Sequence, residues 1–335
     1  MKKTNFLLMF FLISLVYVVN FGCKKDSPNG NDNNNGSELN IISTNEAYYD
    51  DYLYVEATFE DESKMYFRLI DDATAEVVNS EAFLDEPYMY RGEISVPSQF
   101  THINHTYTVI GICGGAFGSR EYSNTYLRKI HLPNTIEYLD GFRDCENLKE
   151  IDIPQSVREI RGGAFCSSGL TSELVIPNSV TTIGMRAFEN THITALTLGN
   201  SLSTIRENAF RGCDLTEVFI PNSVTTVEDG AFGGFDVAGY DEINHCPIDY
   251  QIGFKIKSLT IGNSVTHIGS QAFSCNDSII VTCLAEFPPS LDGFAFINED
   301  WNYIQNGTLY IPSESFQYYL NSEWQYYFSK FRAIN

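Results

Sequence analysis

Cysteine, histidine and carboxylate side chains are the groups able to attack, hold a metal or move a proton. This chain of 335 residues carries 8 Cys, 6 His and 43 Asp+Glu. Their spacing matches none of the patterns in which such groups act. No Cys-x-x-Cys pair or Cys/His cluster is spaced for zinc, and no nucleophile elbow, phosphate-cradling glycine loop, His-Glu-x-x-His helix or calcium loop occurs. The histidines (His102, His105, His131, His192, His245 and His267) are scattered along the chain. The carboxylates are too many for counting alone to exclude a catalytic pair, yet none stands in a glycosidase or protease context. The expectation is a chain that is not an enzyme and uses neither cofactor nor metal.

Charge narrows the partners further. A formal net charge of -22 argues against nucleic acid and against electrostatic docking onto anionic lipid. The excess concentrates between Glu38 and Glu93, where the only basic residues are Lys64, Arg68 and Arg91.

One cysteine does sit in a chemical context. Lys2 and Lys3 precede an apolar run from Phe6 to Val19, followed by Asn20, Phe21, Gly22 and Cys23. The run falls short of the roughly 20 residues that a membrane span needs and has the layout of a secretory signal. Gly22-Cys23 after such a run resembles the lipobox of bacterial lipoproteins, with Asn20 where that family prefers Leu. The resemblance implies that the Cys23 thiol carries a diacylglyceryl anchor. Lys24 to Ser37 contains no aliphatic or aromatic residue, so it reads as a flexible tether. Cys23-Lys24-Lys25-Asp26 resembles the signal that sends Bacteroidetes lipoproteins to the outer face of the outer membrane. The expected location is the cell envelope, lipid-anchored to the outer membrane and surface-exposed, with the lipid as the only membrane contact.

The elements that must position any site are set by a repeat. Ala-Phe recurs at Ala116-Phe117, Ala164-Phe165, Ala187-Phe188, Ala209-Phe210, Ala231-Phe232, Ala272-Phe273 and Ala295-Phe296, with Gly141-Phe142 filling the gap. A second marker keeps phase with it: Leu132-Pro-Asn-Thr-Ile136, Ile153-Pro-Gln-Ser-Val157, Ile176-Pro-Asn-Ser-Val180, Leu198-Gly-Asn-Ser-Leu202, Ile220-Pro-Asn-Ser-Val224 and Ile261-Gly-Asn-Ser-Val265. Alternating residues before the Pro, as in Ile151-Asp-Ile153 or Leu196-Thr-Leu198, predict a short strand with one buried face. Pro-Asn-Ser turns the chain out of the sheet. Val180 and Ile183 then point inward, and the Phe fills the centre of the coil. One such unit cannot bury its own apolar face and must stack on copies of itself.

These units resemble the BspA-like, or Treponema-type, leucine-rich repeat of bacterial cell surfaces, over about residues 64–335. The resemblance implies a leucine-rich-repeat solenoid: a right-handed coil of short parallel β-strands with short turns or 3-10 helices, behind a β-rich N-terminal cap. Tyr90-Arg-Gly-Glu-Ile-Ser-Val-Pro97 and Tyr107-Thr-Val-Ile-Gly111 look like the family's N-terminal cap. Thr308-Leu-Tyr-Ile-Pro312, with Tyr318, Tyr319 and Trp324, looks like its C-terminal cap. The expected organisation is a signal over 1–22, tether 23–38, cap region 39–112, repeats 113–297 with an insertion at about 233–250, and C-terminal cap 298–335. Cys145, Cys166, Cys213 and Cys275 fall near the repeat Phe, where a small, weakly polar side chain packs inside the coil. Cys275 with Cys283 is left open as a disulfide.

The outward strand slots form the candidate binding face: Lys129 and His131, Glu150 and Asp152, Glu173 and Val175, Ala195 and Thr197, Glu217 and Phe219, Ser258 and Thr260. Such a platform suits a protein or polymer better than a small molecule. The insertion adds a candidate binding loop with Asp236, Tyr240, Asp241, Glu242, His245 and Asp249, since solenoid insertions become loops on one face. The expected function is non-enzymatic binding of macromolecules through the solenoid face. The family resemblance points to adhesion, the partner being an extracellular protein of host matrix or bacterial surface. The alternative is a lipoprotein that captures polysaccharide for uptake.

Overall fold

The computed structural model describes residues 41–49, 51–80, 90–234, 255–298, 302–304 and 306–334. The expected signal segment, Cys23, the tether, and Asp236, Tyr240, Asp241, Glu242, His245 and Asp249 of the insertion lie outside the described residues.

The Ala-Phe pairs build the centre of the coil. Phe117, Phe142, Phe165, Phe188, Phe210, Phe232, Phe273 and Phe296 stack in sequence order, with ring centroids 4.9 to 5.5 Å apart and planes within 15°. All eight rings are buried. The small partner explains the close spacing. From Ala164 onward, each Ala carbonyl accepts from the Phe N–H of the preceding rung, as in Phe165 N to Ala187 O (2.7 Å) and Phe188 N to Ala209 O (2.8 Å). Burying such a ring stabilises by about 2–3 kcal/mol from transfer alone, and each stacked pair adds about 0.5–1.5 kcal/mol. The long step from Phe232 to Phe273 leaves the stack closed: the rings are 5.5 Å apart, and Phe232 N still donates to Ala272 O at 2.7 Å. The rungs on either side of the insertion are therefore direct neighbours in the coil.

Each rung contributes two extended segments. Those after the turn are Tyr138–Leu139, Glu159–Ile160, Thr182–Ile183, Thr204–Ile205, Thr226–Val227, His267–Ile268 and Ser290–Leu291. They pair in parallel and join the cap strands in one 13-stranded sheet. The second residue of each is buried and the first looks outward. The segments before the turn form three separate parallel sheets. Gly92–Ser95 pairs with Leu127–His131, and Glu173–Val175 with Ala195–Thr197. Glu217–Ile220, Ile256–Ile261, Phe273–Cys283, Thr308–Pro312 and Lys330–Ile334 follow one another in the third.

The strand expected at Ile151-Asp-Ile153 is absent. Phe117 to Pro133 takes 16 residues where the next rungs take 11 or 12, and the longer strand Leu127–His131 pairs with Gly92–Ser95 instead. Side chains carry the contacts across the gap: Lys129 Nζ lies 3.7 Å from Glu150, and Asn147 donates to the Thr125 carbonyl. Of the short turns or 3-10 helices expected within the coil, the described rungs use turns. Among the described residues 3-10 helices occur at Ser313–Ser315 and Glu323–Tyr326, in the C-terminal cap, because plain turns already close each rung.

Glycine replaces proline in two turns for a steric reason. A Cβ at Gly199 would lie 2.4 Å from the Pro177 carbonyl oxygen of the rung below. The asparagines of these turns tie the rungs together, Asn178 Oδ1 accepting from Asn200 N and Asn222 Oδ1 from Asn263 N, both at 2.9 Å.

At the N-terminal end, β1 (Ile41–Tyr49), β2 (Tyr52–Phe59), β3 (Lys64–Leu69) and β4 (Thr74–Val78) form an antiparallel meander. After β5 (Gly92–Ser95), β6 (Gln99–His102) and β7 (His105–Ile112) make a hairpin, and β7 lies parallel to β4. Phe100 of β6 stacks on Phe67 of β3 at 4.3 Å. Cap and coil meet at three residues in register: Glu76 on β4, Gly111 on β7 and Tyr138 on the next rung. A Cβ at Gly111 would lie 2.0 Å from the Tyr138 ring, so the missing side chain leaves the ring its place. The Tyr138 hydroxyl donates to buried Glu76 at 2.7 Å. Arg68 pairs with the same carboxylate, and Arg161 stacks 3.9 Å above the Tyr138 ring. Burial, reinforced by Glu76, pushes the Tyr138 pKa up.

Aromatic residues close both ends of the phenylalanine stack. Tyr90 lies 4.8 Å from Phe117. Trp324, Tyr327 and Phe328 meet Phe296 at 5.4, 5.6 and 5.5 Å. An open solenoid end would otherwise expose apolar rings and unpaired edges. Among the described residues, no helix is long and apolar enough to cross a membrane.

Candidate functional site

The segments before the turn present one continuous outer face, set by strand alternation: the middle residue of each turns inward and its two neighbours outward. Leu174, Val218 and Leu259 are buried. Beside them Glu173, Ala195, Thr197 and Glu217 are exposed, as are Val175 (50%) and Phe219 (53%). Glu150, Asp152 and His131 are exposed as well, while Lys129, Ser258 and Thr260 are half-buried. The structure therefore places every outward slot read from the repeat on this side of the coil.

Register extends the face beyond those slots. Glu93 and Ser95 lie beside Lys129 and His131. Ser258 and Thr260 continue into Ile280 and Thr282, then Thr308 and Tyr310, then Lys330 and Arg332. Sequence reasoning missed these residues because their rungs lack the Pro-Asn-Ser marker. The alternation in Ile279-Ile-Val-Thr-Cys283 was the available signal.

The face changes character along the coil. At its N-terminal end polar contacts bridge neighbouring strands. His131 Nε2 meets Glu93 at 2.6 Å, and Thr197 Oγ1 donates to Glu173 at 3.4 Å. The hydrogen bond from His131 holds the Glu93 carboxyl below the usual carboxylate range. Toward the middle, Phe219 and Ile280 (48% exposed) stand free of such bonds among bare Ser and Thr side chains. Lys330 and Arg332 close the C-terminal end. Where the strand is missing, a shallow open dent of about 150 Å³ is lined by Glu150, Ile151, Leu170, Ser172, Glu173, Leu174 and Ile193. It is too open and shallow to enclose a small molecule.

A search of the known families matches the BspA type leucine rich repeat region, in six copies over residues 115–236 and 250–325. The match takes in more than half of the chain. The chain belongs to the BspA-type leucine-rich-repeat family. Among solved structures, it is similar to a leucine-rich repeat protein from Bacteroides ovatus, at 16% identity and TM-score 0.41, covering 81% of this chain and 98% of that one. It is also similar to a leucine rich cell surface protein from Faecalibacterium prausnitzii (19% identity, 81% of this chain, 93% of that one, TM-score 0.38). A third likeness is to the pneumococcal vaccine antigen PcpA (14% identity, 87% of this chain, 99% of that one, TM-score 0.39). At these values the likenesses carry no inference about what the chain binds. No curated protein matches the chain at a significant level.

The BspA-type coil explains the cysteines. Cys145, Cys166, Cys213, Cys275 and Cys283 are buried, Cys113 is half-buried, and all six are free thiols. Cys275 and Cys283 lie on one strand and are not bonded to each other. Burial pushes the Cys213 thiol up to about 12, and the same cause raises Cys145 and Cys275 further. Thiols held protonated in this way are poor nucleophiles. His267 takes its repeat slot on the outward side of the 13-stranded sheet, bonded to Ser290 and Asp292. Among the described residues, no three His, Cys, Asp or Glu side chains converge on a point that would hold a metal.

The candidate loop lies outside the described residues, but its stems do not. Gly234 N donates to Ser274 Oγ at 2.6 Å. Lys255, bonded to Asp214 at 2.6 Å, leads directly into the strand Ile256–Ile261. Lys255, the first described residue after the loop, therefore precedes the strand that lies beside the Glu217–Phe219 rung of the outer face.

Proposed function

We infer that this chain is a non-enzymatic lipoprotein of the bacterial surface, anchored through Cys23, that holds another macromolecule on its outer face. An extracellular protein is the favoured partner, and adhesion the favoured role. The observation that carries the reading is the exposure of Phe219. Its ring is 53% exposed on a strand whose inward residues are packed, and it forms no part of the stack that holds the coil together. Large exposed aromatics amid small polar side chains are typical anchors of protein interfaces. The dent beside Glu173 on this face is shallow and open, which fits a broad contact. Family membership agrees with this role by analogy.

A second reading, polysaccharide capture, has its own observation. Where the last rung meets the C-terminal cap, Phe294 and Tyr303 are both exposed and stack at 5.1 Å with planes 4° apart. Phe287 and Tyr318 form another exposed pair at 4.9 Å. Aromatic platforms of this kind suit sugar rings.

The two readings are separated by presenting residues 24–335 to a panel of matrix and bacterial surface proteins and to a polysaccharide array. Saturable protein binding that weakens at least tenfold in Phe219→Asp supports the first. Glycan binding that survives Phe219→Asp but is lost in Phe294→Ala reverses the order.

A further inference from the structure

The outer face carries a gradient of charge. Across its C-terminal half, strand register sets Glu217, Ile280 and Lys330 in one row and Phe219, Tyr310 and Arg332 in the next. The places between them are filled by Ser and Thr, so neither row holds a charge between its first strand and its last. Glu217 continues the acids of the N-terminal half, where Glu150, Asp152 and Glu173 are exposed. Bases at that end are matched, Lys129 by Glu150 at 3.7 Å and His131 by Glu93 at 2.6 Å. Lys330 and Arg332 differ. Both are exposed, and among the described residues neither pairs with an acid; Arg332 Nη1 donates to the Phe331 carbonyl at 3.3 Å. They are successive outward residues of the strand Lys330–Ile334, about 7 Å apart. The two like charges repel each other and contribute nothing to holding the coil.

On the reading that the outer face is the contact surface, we propose that Lys330 and Arg332 select an acidic protein segment and fix its orientation. The segment lies across the strands, its apolar residues on Phe219 and Ile280 and its carboxylates on Lys330 and Arg332. Neighbouring strands stand about 4.8 Å apart, which puts Ile280 about 10 Å from Lys330 and Phe219 about 19 Å from Arg332. An extended segment covers those distances in about three and about six residues. Acids at these offsets from an apolar residue meet the two cations; acids at the other end of the segment would meet Glu217 and Glu173. Charge complementarity of this kind chooses among partners and speeds their encounter more than it raises affinity. An acidic polysaccharide fits less well, because its carboxylates recur at every sugar and would set some against Glu217 and over the apolar pair.

Random peptides displayed on phage and selected on residues 24–335 test this. Enriched peptides should carry Asp or Glu about three or six positions from an aromatic or aliphatic residue. Selection on the double variant Lys330→Glu, Arg332→Glu should return Lys or Arg at those places instead. A peptide selected on the wild type should bind the double variant roughly tenfold more weakly or worse, with the melting temperature unchanged. A consensus without acids, the same consensus from both proteins, or no enrichment at all overturns the proposal. If acid-free peptides lose their binding in Phe219→Asp, the outer face stands as the contact surface and only its preference for acids falls. If they keep it, both fall. Saturable binding of polygalacturonate, with no peptide enriched, overturns the proposal in favour of a polysaccharide.

Discussion

Replacing Phe188 with Ala probes the stack where it is most enclosed. The ring is 0% exposed and stacks on Phe165 at 5.1 Å and on Phe210 at 5.3 Å. Deleting a buried Phe side chain costs about 3–5 kcal/mol, the larger values arising where the walls cannot relax into the hole. Here they cannot, because backbone bonds of 2.7 and 2.8 Å hold rung to rung on either side. The upper end of that range is expected. Phe188→Leu keeps most of the apolar area but loses both stacked pairs, for a loss of about 1–3 kcal/mol. Because each rung touches only its neighbours, a weakened rung should also uncouple the two halves. Urea unfolding followed by far-ultraviolet circular dichroism and by tryptophan fluorescence measures both effects. Trp324 reports the C-terminal end, so the two transitions should separate in the Ala variant. Phe219→Ala, on the exposed face, should stay within about 0.5 kcal/mol of wild type. The reasoning fails if Phe188→Ala is no more harmful than Phe219→Ala.

Four further expectations follow from particular contacts. Gly111→Ala should destabilise by about 1–3 kcal/mol, since its Cβ meets the Tyr138 ring at 2.0 Å; thermal melting checks it. Gly199→Ala should do likewise against the Pro177 carbonyl, whereas Gly293→Ala, with nothing within 4 Å, should be close to neutral. Burial raises the Asp140 pKa, so its charged form is disfavoured in the folded state, and that penalty vanishes as pH falls through the folded pKa. Asp140→Asn, which keeps an acceptor for Gly141 N, should therefore raise the urea midpoint at pH 7 and leave it unchanged near pH 3. A thiol reagent at pH 8 should reach half-buried Cys113 before the other five described cysteines, which should react only on unfolding, as peptide mapping of the labelled chain would show.

The coil was legible because its signal repeats. An Ala-Phe or Gly-Phe pair every 22 to 25 residues, with one longer step from Phe232 to Phe273, has one physical solution, a column of rings with a small residue beside each. The coil's part of the larger sheet was not legible, because its strands there are two residues long, such as Thr182–Ile183, and a pair has no alternation to detect. The missing strand at 150–152 was hidden for a different reason. Ile151-Asp-Ile153 alternates properly, but pairing depends on the neighbouring rung, which is longer than its fellows. The Tyr138–Glu76 junction joins residues 62 apart in sequence, and no local pattern announces it. On the candidate face, the slots tied to Pro-Asn-Ser were found, whereas Ile280 and Tyr310, whose rungs lack that marker, were not.

Site-specific photocrosslinking tests the central claim most directly. A benzoylphenylalanine placed at Phe219 or Val175 on the outer face, or at Thr182 or Thr204 on the opposite sheet, leaves the coil intact and reports which side meets a partner. With each variant displayed on cells and offered the matrix and surface proteins, adducts should form from positions 219 and 175 and not from 182 or 204. Adducts from the opposite sheet alone, or equal yields from both sides, would contradict the account.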